Sequence, residues 1–227
     1  MLNAFQRVLV VCAVGAERDA VVRGITAGHV EVIAAGVGPA AAAAGTAFAL
    51  AEGAAQGRPY ELVVSAGIGG GFAAHGAGVG DTVLADRLVA ADLGATTPDG
   101  FASVTELGFG TAEHVPPADL VRAAAGATGA LTGAVLTVST VTGTQERAAE
   151  LTGRYPGAVA EAMEGFGVAE AAAVPGVPVL EVRTVSNPVG PRDRAAWRIP
   201  AALAALSTAF ARLTADTGQG AESSSWT

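Results

Sequence analysis

Two carboxylates and one amide stand where apolar stretches of this chain give out. Glu17, in AVGAERDAVV, follows the first apolar run and opens the first helical stretch. Glu164, in VAEAMEGFGVAEAAA, does the same much later, with Glu161, Ala162 and Met163 just before it. Asn187, in EVRTVSNPVGPRDRAAW, closes the last apolar run ahead of arginines grouped around Asp193. An acidic residue at a helix start is favoured by the helix dipole, and that alone accounts for Glu17 as local structure. A carboxylate held at such a place stays ionised and only accepts hydrogen bonds, so Glu164 suits sugar hydroxyls. Met163 beside it reads as core packing when taken alone. Asn187 can cap a turn or touch a ligand, and Asp193 can cap the last helix.

Other chemistries find less support. His29, His75 and His114 lie in unrelated segments without a Cys or acidic partner at ligand spacing, so no metal site is expected. Ser139 and Ser186 stand in no nucleophile-elbow motif. AAGVGPAAAAAG nearly matches a dinucleotide fingerprint at Gly36 and Gly38, but no acidic residue follows at the next strand end where a ribose would need one. In VVSAGIGGGF the strand Leu62–Ser65 is expected to end in a loop holding Gly67, Gly69, Gly70 and Gly71. Such glycines let backbone approach backbone or ligand, and a barrel-like corner or a bulge is the structural alternative. No cation lies in or beside this segment, so only backbone N–H groups could hold an anion there.

The elements that must position these residues follow from the patterning. Strands are expected at Val8–Val14, Val30–Ala35, Leu62–Ser65, Asp81–Leu84, Ala134–Ser139, Ala158–Ala162 and Val179–Val185. Helices are expected at Glu17–Thr26, Pro39–Ala54, Ala118–Ala125, Gln145–Leu151, Gly165–Ala173 and Ala195–Thr214. Runs such as VLVVCAV and VPVLEVRTV are apolar on both faces, as in strands covered on both sides by helices. The expected class is α/β, a mostly parallel sheet in three layers, with ligands at the carboxyl ends of its strands. Asp92–Gly110 reads as a loop over a pocket or a surface hairpin. Residues 1–215 form one domain, and 216–227, small and polar, are expected to be a flexible tail.

Composition narrows the functions. The chain has 227 residues, 51% hydrophobic and 15% charged, enough for a large core. Its net charge of -8, with no basic run, argues against a nucleic-acid partner. It contains no lysine, which excludes a Walker-type phosphate lysine, a Schiff base and covalently held pyridoxal phosphate. Cys12 is the one cysteine, so no intramolecular disulfide forms and a reducing cytoplasm is expected. The N-terminal apolar run reads as a buried strand and not as a signal peptide, and no run suits a membrane span.

Read together and in order, CAVGAERD, AGVGPAAAAAGTAFAL, VVSAGIGGGF with GVGDTVLAD, VSTVTGT, EAMEGFGVA and VRTVSN resemble the nucleoside phosphorylase/hydrolase superfamily. The resemblance runs from Arg7 to about Ala211 and is nearest the branch of methylthioadenosine/S-adenosylhomocysteine nucleosidases and futalosine hydrolases. It implies a three-layer α/β/α sandwich around a twisted mixed sheet, a homo-oligomer, a nucleoside substrate and no cofactor. It implies that Glu17 positions and activates water with Arg183 nearby, and that Met163 and Glu164 hold the ribose. Ser65, with Ala66, Gly67 and Gly69 along the substrate, falls where the phosphorolytic branch carries a phosphate-binding arginine, so water is the implied nucleophile. Asn187 replaces the aspartate that protonates adenine in the methylthioadenosine nucleosidases. An amide cannot act as that acid, but it can donate to N7 and to a 6-oxo group. The nucleosidase acid directly before Met-Glu is Ala162 here, and Glu161 is expected to face the other way.

Asn187 and the following PVGPRDRAAW resemble the futalosine hydrolases. That implies release of hypoxanthine and dehypoxanthinyl futalosine in menaquinone biosynthesis. Val141 and Phe166 are then base contacts, and Arg192 or Arg194 could meet the substrate's aromatic carboxylate. Phe72 and Phe101 are further stacking candidates. A methylthioadenosine/S-adenosylhomocysteine nucleosidase, or a non-catalytic nucleoside-binding protein on the same fold, are the alternatives.

Overall fold

The run VLVVC forms β1 (Val8–Cys12), buried at every residue. Its lack of alternation reflects helices on both sides of the sheet. The computed structural model describes residues 1–215, and the tail expected at 216–227 lies outside them. After β1 come α1 (Gly15–Gly24), β2 (Val30–Ala34), α2 (Pro39–Ala55), β3 (Leu62–Gly71) and β4 (Thr82–Ala90). A small hairpin of β5 (Gly94–Thr97) and β6 (Gly100–Ser103) and the short β7 (Glu113–His114) precede α3 (Ala118–Thr128). The chain continues through β8 (Leu131–Thr137), α4 (Gln145–Arg154), β9 (Ala158–Ala162), α5 (Gly165–Ala173), β10 (Val179–Pro188) and α6 (Ile199–Leu213).

The sheet is mixed. β3 runs parallel to β1 on one edge and to β10 on the other, and β1 runs parallel to β2. β10 is antiparallel to β4, β4 is parallel to β8, and β8 is parallel to β9. β9 then pairs antiparallel with the end of β3 at Gly70 and Gly71. Strands β3, β10, β4, β8 and β9 therefore close a ring, with β1 and β2 as an extension. Apolar residues of α1, α3 and α6, such as Val21, Leu120 and Phe210, cover one face. Those of α2 and α5, such as Leu50 and Val168, cover the other, which makes the three layers.

One expectation changes, and an open alternative is decided. The glycine segment after Ser65 is strand and not loop: β3 continues through Gly71, with Gly67 opposite Arg183 and Gly70 opposite Asn187 of β10. The ring needs this, because β3 must reach past β1 to meet β9. The segment Asp92–Gly110 contains the β5–β6 hairpin, and Phe101 of β6 packs under the Arg154 guanidinium at 4.2 Å. Phe101 thereby lies against α4, away from the strand ends that hold the carboxylates. Among the described residues no helix is long and apolar enough to cross a membrane.

Candidate active site

β3 pairs with β1 only as far as Ser65 and with β9 only from Gly70. Between them one edge of β3 is open, a switch in strand partner of the kind beside which ligands bind in α/β sheets. A cavity of about 250 Å³ opens there. Its lining includes Ala13 and Val14 after β1, Ile68 to Gly70 of β3, Ala162 at the end of β9 with Met163 and Glu164 after it, and Ser186 to Pro188 of β10.

Glu17 reaches this cavity from the first turn of α1. Its Oε2 accepts from the N–H groups of Ala13 (3.1 Å) and Val14 (3.3 Å), and its Oε1 accepts from Ile68 N–H (2.8 Å). It is thus the helix-start residue expected and also a pinned carboxylate at the open edge of β3. Glu164, at the N-cap position of α5, lines the cavity too, and its Oε1 accepts from Gly38 N–H at 3.1 Å. The Gly-Pro start of α2 therefore serves the site by orienting a carboxylate.

Arg183 lies beneath these carboxylates, 1% exposed. Its Nη1 is 3.3 Å from Glu164, its Nε donates to Glu181 at 2.9 Å, and its Nη2 donates to Ser65 Oγ at 2.9 Å. Burial works against the Arg183 charge, but Glu181, Glu164 and Glu17 outweigh it and hold its pKa above the ordinary arginine value. Burial pushes the Glu181 carboxyl up, only partly offset by Arg183, and its Oε2 has no hydrogen-bond partner. The space for that carboxyl exists because Gly165 has no side chain: a Cβ there would collide with both Glu181 oxygens. A Cβ at Gly67 would lie 2.6 Å from both Arg183 Nη1 and Glu17 Oε1, so the bare strand lets cation and carboxylate close over it.

The remaining expected residues divide clearly. Met163, Gly69, Val141, Asn187 and Arg192 line the cavity with Glu17 and Glu164. Ser65, Ala66, Gly67 and Arg183 do not: Ser65 and Ala66 are fully buried, and they build the wall behind it. Arg183, expected beside the attacking water, instead faces Glu164. Phe166 does not line the cavity either, because α5 turns its ring onto His114, 5.3 Å between centroids. Phe72 is buried in the core under α4. Arg194 sits on a 3-10 turn outside the lining, and Asp193 caps that turn and not α6, accepting from Ala195 N–H at 3.0 Å.

Asn187 is oriented by its neighbours. Its Nδ2 donates to the Pro188 carbonyl at 2.9 Å, and its Oδ1 accepts from Ser186 Oγ at 2.8 Å. The second Nδ2 hydrogen is left for a ligand acceptor. Glu161, expected to face away, lines the cavity as well. Thr142 donates to it from N–H at 2.8 Å and from Oγ1 at 2.5 Å. Burial raises its pKa against those two hydrogen bonds. Sequence reasoning missed Glu161, Thr142, Glu181 and the Gly38 N–H. The carboxylates were visible, but strand alternation was the wrong guide for Glu161, since the cavity reaches both sides of the β9 terminus. Cys12 is buried, and burial, then Glu17, pushes its thiol up to about 12, which makes it a poor nucleophile.

The chain belongs to the phosphorylase superfamily, whose family model matches residues 8–217. Its architecture is similar to a 5'-methylthioadenosine/S-adenosylhomocysteine nucleosidase from Colwellia psychrerythraea solved with adenine. The TM-score is 0.76 at 22% identity, covering 92% of this chain and 95% of that one, a likeness of fold. Within the superfamily the chain falls among the futalosine hydrolases. It is 64% identical to the futalosine hydrolase of Streptomyces coelicolor over 221 residues, covering 90% of this chain and 94% of that protein. It is 46% identical to that of Acidothermus cellulolyticus, covering 90% and 89%.

Proposed function

We propose that this protein hydrolyses the N-ribosidic bond of futalosine. The 64% identity to the Streptomyces coelicolor enzyme across nearly the whole chain carries this reading. Hypoxanthine and dehypoxanthinyl futalosine are the products, and the step belongs to menaquinone biosynthesis. The protein works as a homo-oligomer in the cytoplasm and without a cofactor.

The geometry supports specific roles. Two carboxylates, Glu17 and Glu164, border one cavity and are fixed by backbone N–H groups. Glu164 accepts the ribose hydroxyls over Met163 and places negative charge beside the cationic sugar of the transition state. Arg183 holds Glu164 in place from below and does not meet the water itself. Glu17 takes a proton from water as its oxygen bonds to C1′ and the C1′–N9 electron pair passes to the purine. Asn187 donates to the N7/O6 edge of the leaving base, with Val141 along the base. Arg192, its guanidinium 5.5 Å from the Trp197 ring at the cavity, meets the aromatic carboxylate of the substrate.

Incubation with futalosine, inosine and methylthioadenosine, with and without phosphate, tests this by chromatography of the freed purine. Hypoxanthine from futalosine without any need of phosphate is expected. Adenine release from methylthioadenosine in preference, or a strict phosphate requirement, would overturn it.

A further inference from the structure

Glu181 and Arg183 are two residues apart on β10, so strand alternation puts both side chains on one face of the sheet. Ser65 and Gly67 are their register partners on β3 and share that face. Gly165, the first residue of α5, lies against Glu181, where any Cβ would collide with the carboxyl group. That carboxyl is fully buried, and its Oε2 has no hydrogen-bond partner. No step of the reaction uses it.

Stability does not account for this arrangement. Apolar residues of similar volume often match or better a buried ion pair, and Leu180 and Val182 beside Glu181 are apolar and fully buried. Nor does Arg183 need Glu181 for want of acidic neighbours. Glu164 faces its Nη1 at 3.3 Å, Ser65 Oγ accepts from its Nη2, and Glu17 adds a further negative charge. What Glu181 adds is direction and charge. It takes Nε at 2.9 Å while Ser65 takes Nη2, so the guanidinium is gripped along one edge and Nη1 is left for Glu164. It also makes three carboxylates share one cation. The guanidinium charge is then balanced by Glu181, and Glu164 keeps its negative potential for whatever occupies the cavity.

We propose that Glu181 is a positioning residue for catalysis: as a carboxylate it aims Arg183 at Glu164 and balances the Arg183 charge, so that Glu164 meets the cationic sugar as a full anion. This rests on the functional reading above, in which a nucleoside occupies the cavity and its sugar turns cationic. Gly165 belongs to the same device, because a bare first residue on α5 is what admits the carboxyl.

The test compares two inhibitors that differ by one charge. Both carry 9-deazahypoxanthine; one has a protonated hydroxypyrrolidine in place of the ribose, the other a neutral hydroxycyclopentane. Calorimetry gives Kd for each on the wild type and on Glu181→Gln, which keeps the size of the side chain and an oxygen for Arg183 Nε. Loss of one unit charge at an effective dielectric of about 20 should weaken the cation about 10- to 30-fold and the neutral compound less than about 3-fold. For futalosine, kcat should fall by about the same factor as cation binding, with KM little changed. Ser65→Ala loosens the grip on Arg183 without changing charge, so it should shift both inhibitors alike. Gly165→Ala, whose methyl group must push the Glu181 carboxyl away from Arg183, should weaken the cation selectively as Glu181→Gln does. Equal weakening of both inhibitors by Glu181→Gln, or no change in either, shows a structural role only and overturns the proposal. If the wild type frees no purine from futalosine, the functional reading fails, and the ratio of the two Kd values still decides the role of Glu181.

Discussion

Arg183→Met should cost more stability than any other single change at this site, and most of the loss should trace to one carboxylate. Arg183 has three acidic neighbours, but two of them have other partners. Glu17 accepts from three backbone N–H groups and Glu164 from one. Glu181 is fully buried, and its hydrogen bond is to Arg183. Removing one member of a buried ion pair leaves an uncompensated charge and costs about 3–5 kcal/mol. For a chain of this size that lowers Tm by about 6–20 °C. Adding Glu181→Gln removes the stranded charge and leaves a neutral unpaired group, worth about 1–3 kcal/mol. The double variant should therefore regain about 2 kcal/mol, or roughly 4–8 °C. Urea titration and thermal melting followed by circular dichroism measure both. Activity should stay lost in the double variant, since Glu164 has lost its buried cation. A double variant no more stable than Arg183→Met would refute the claim that Glu181 bears the loss.

Three further outcomes are expected. Glu164→Gln should lower kcat about 10²- to 10³-fold without shifting the melting curve much, and near-normal turnover would remove Glu164 from the mechanism. Gly67→Ala should cost about 1–3 kcal/mol and reduce turnover, because its methyl group must push apart Arg183 and Glu17, each 2.6 Å away. The raised pKa of Glu181 means that the native state holds its proton more tightly than the unfolded chain does. That stabilising contribution is complete below the ordinary value of 4.5 and is lost as pH rises through the raised value. The Tm difference between wild type and Glu181→Gln should accordingly move against the wild type as pH increases above about 4.5, and a flat difference would contradict the shift.

Much of the fold was legible because both-face apolar runs and Ala-rich helices differ so clearly in this chain. Ala158–Ala162 and Gly165–Ala173 were read at their observed ends, which places Met163 and Glu164 between strand and helix. The glycine segment was misread because glycine disfavours strands locally. Pairing with the distant β10, and with β9 at Gly70 and Gly71, keeps it extended, and such pairing leaves no local mark. Glu17, Glu164 and Asn187 could be found as polar residues at strand ends. Arg183 was noticed, but its burial under Glu164 depends on two glycines, Gly67 and Gly165, that clear space for it and for Glu181. Phe166 stands two residues after Glu164 in sequence, yet two steps along a helix turn the side chain by about 200°, enough to send it to His114.

The closed ring also sets the order in which the molecule can be made. β3 receives its β1 partner early in synthesis, yet its other edge waits for β10, more than a hundred residues later. Contacts so far apart in sequence form slowly and leave a strand edge exposed meanwhile. That later strand, β10, carries both Arg183 and Asn187. A nascent chain therefore keeps a sticky unpaired edge until β10 has left the ribosome, and the event that buries that edge is the same one that completes the lining of the candidate site.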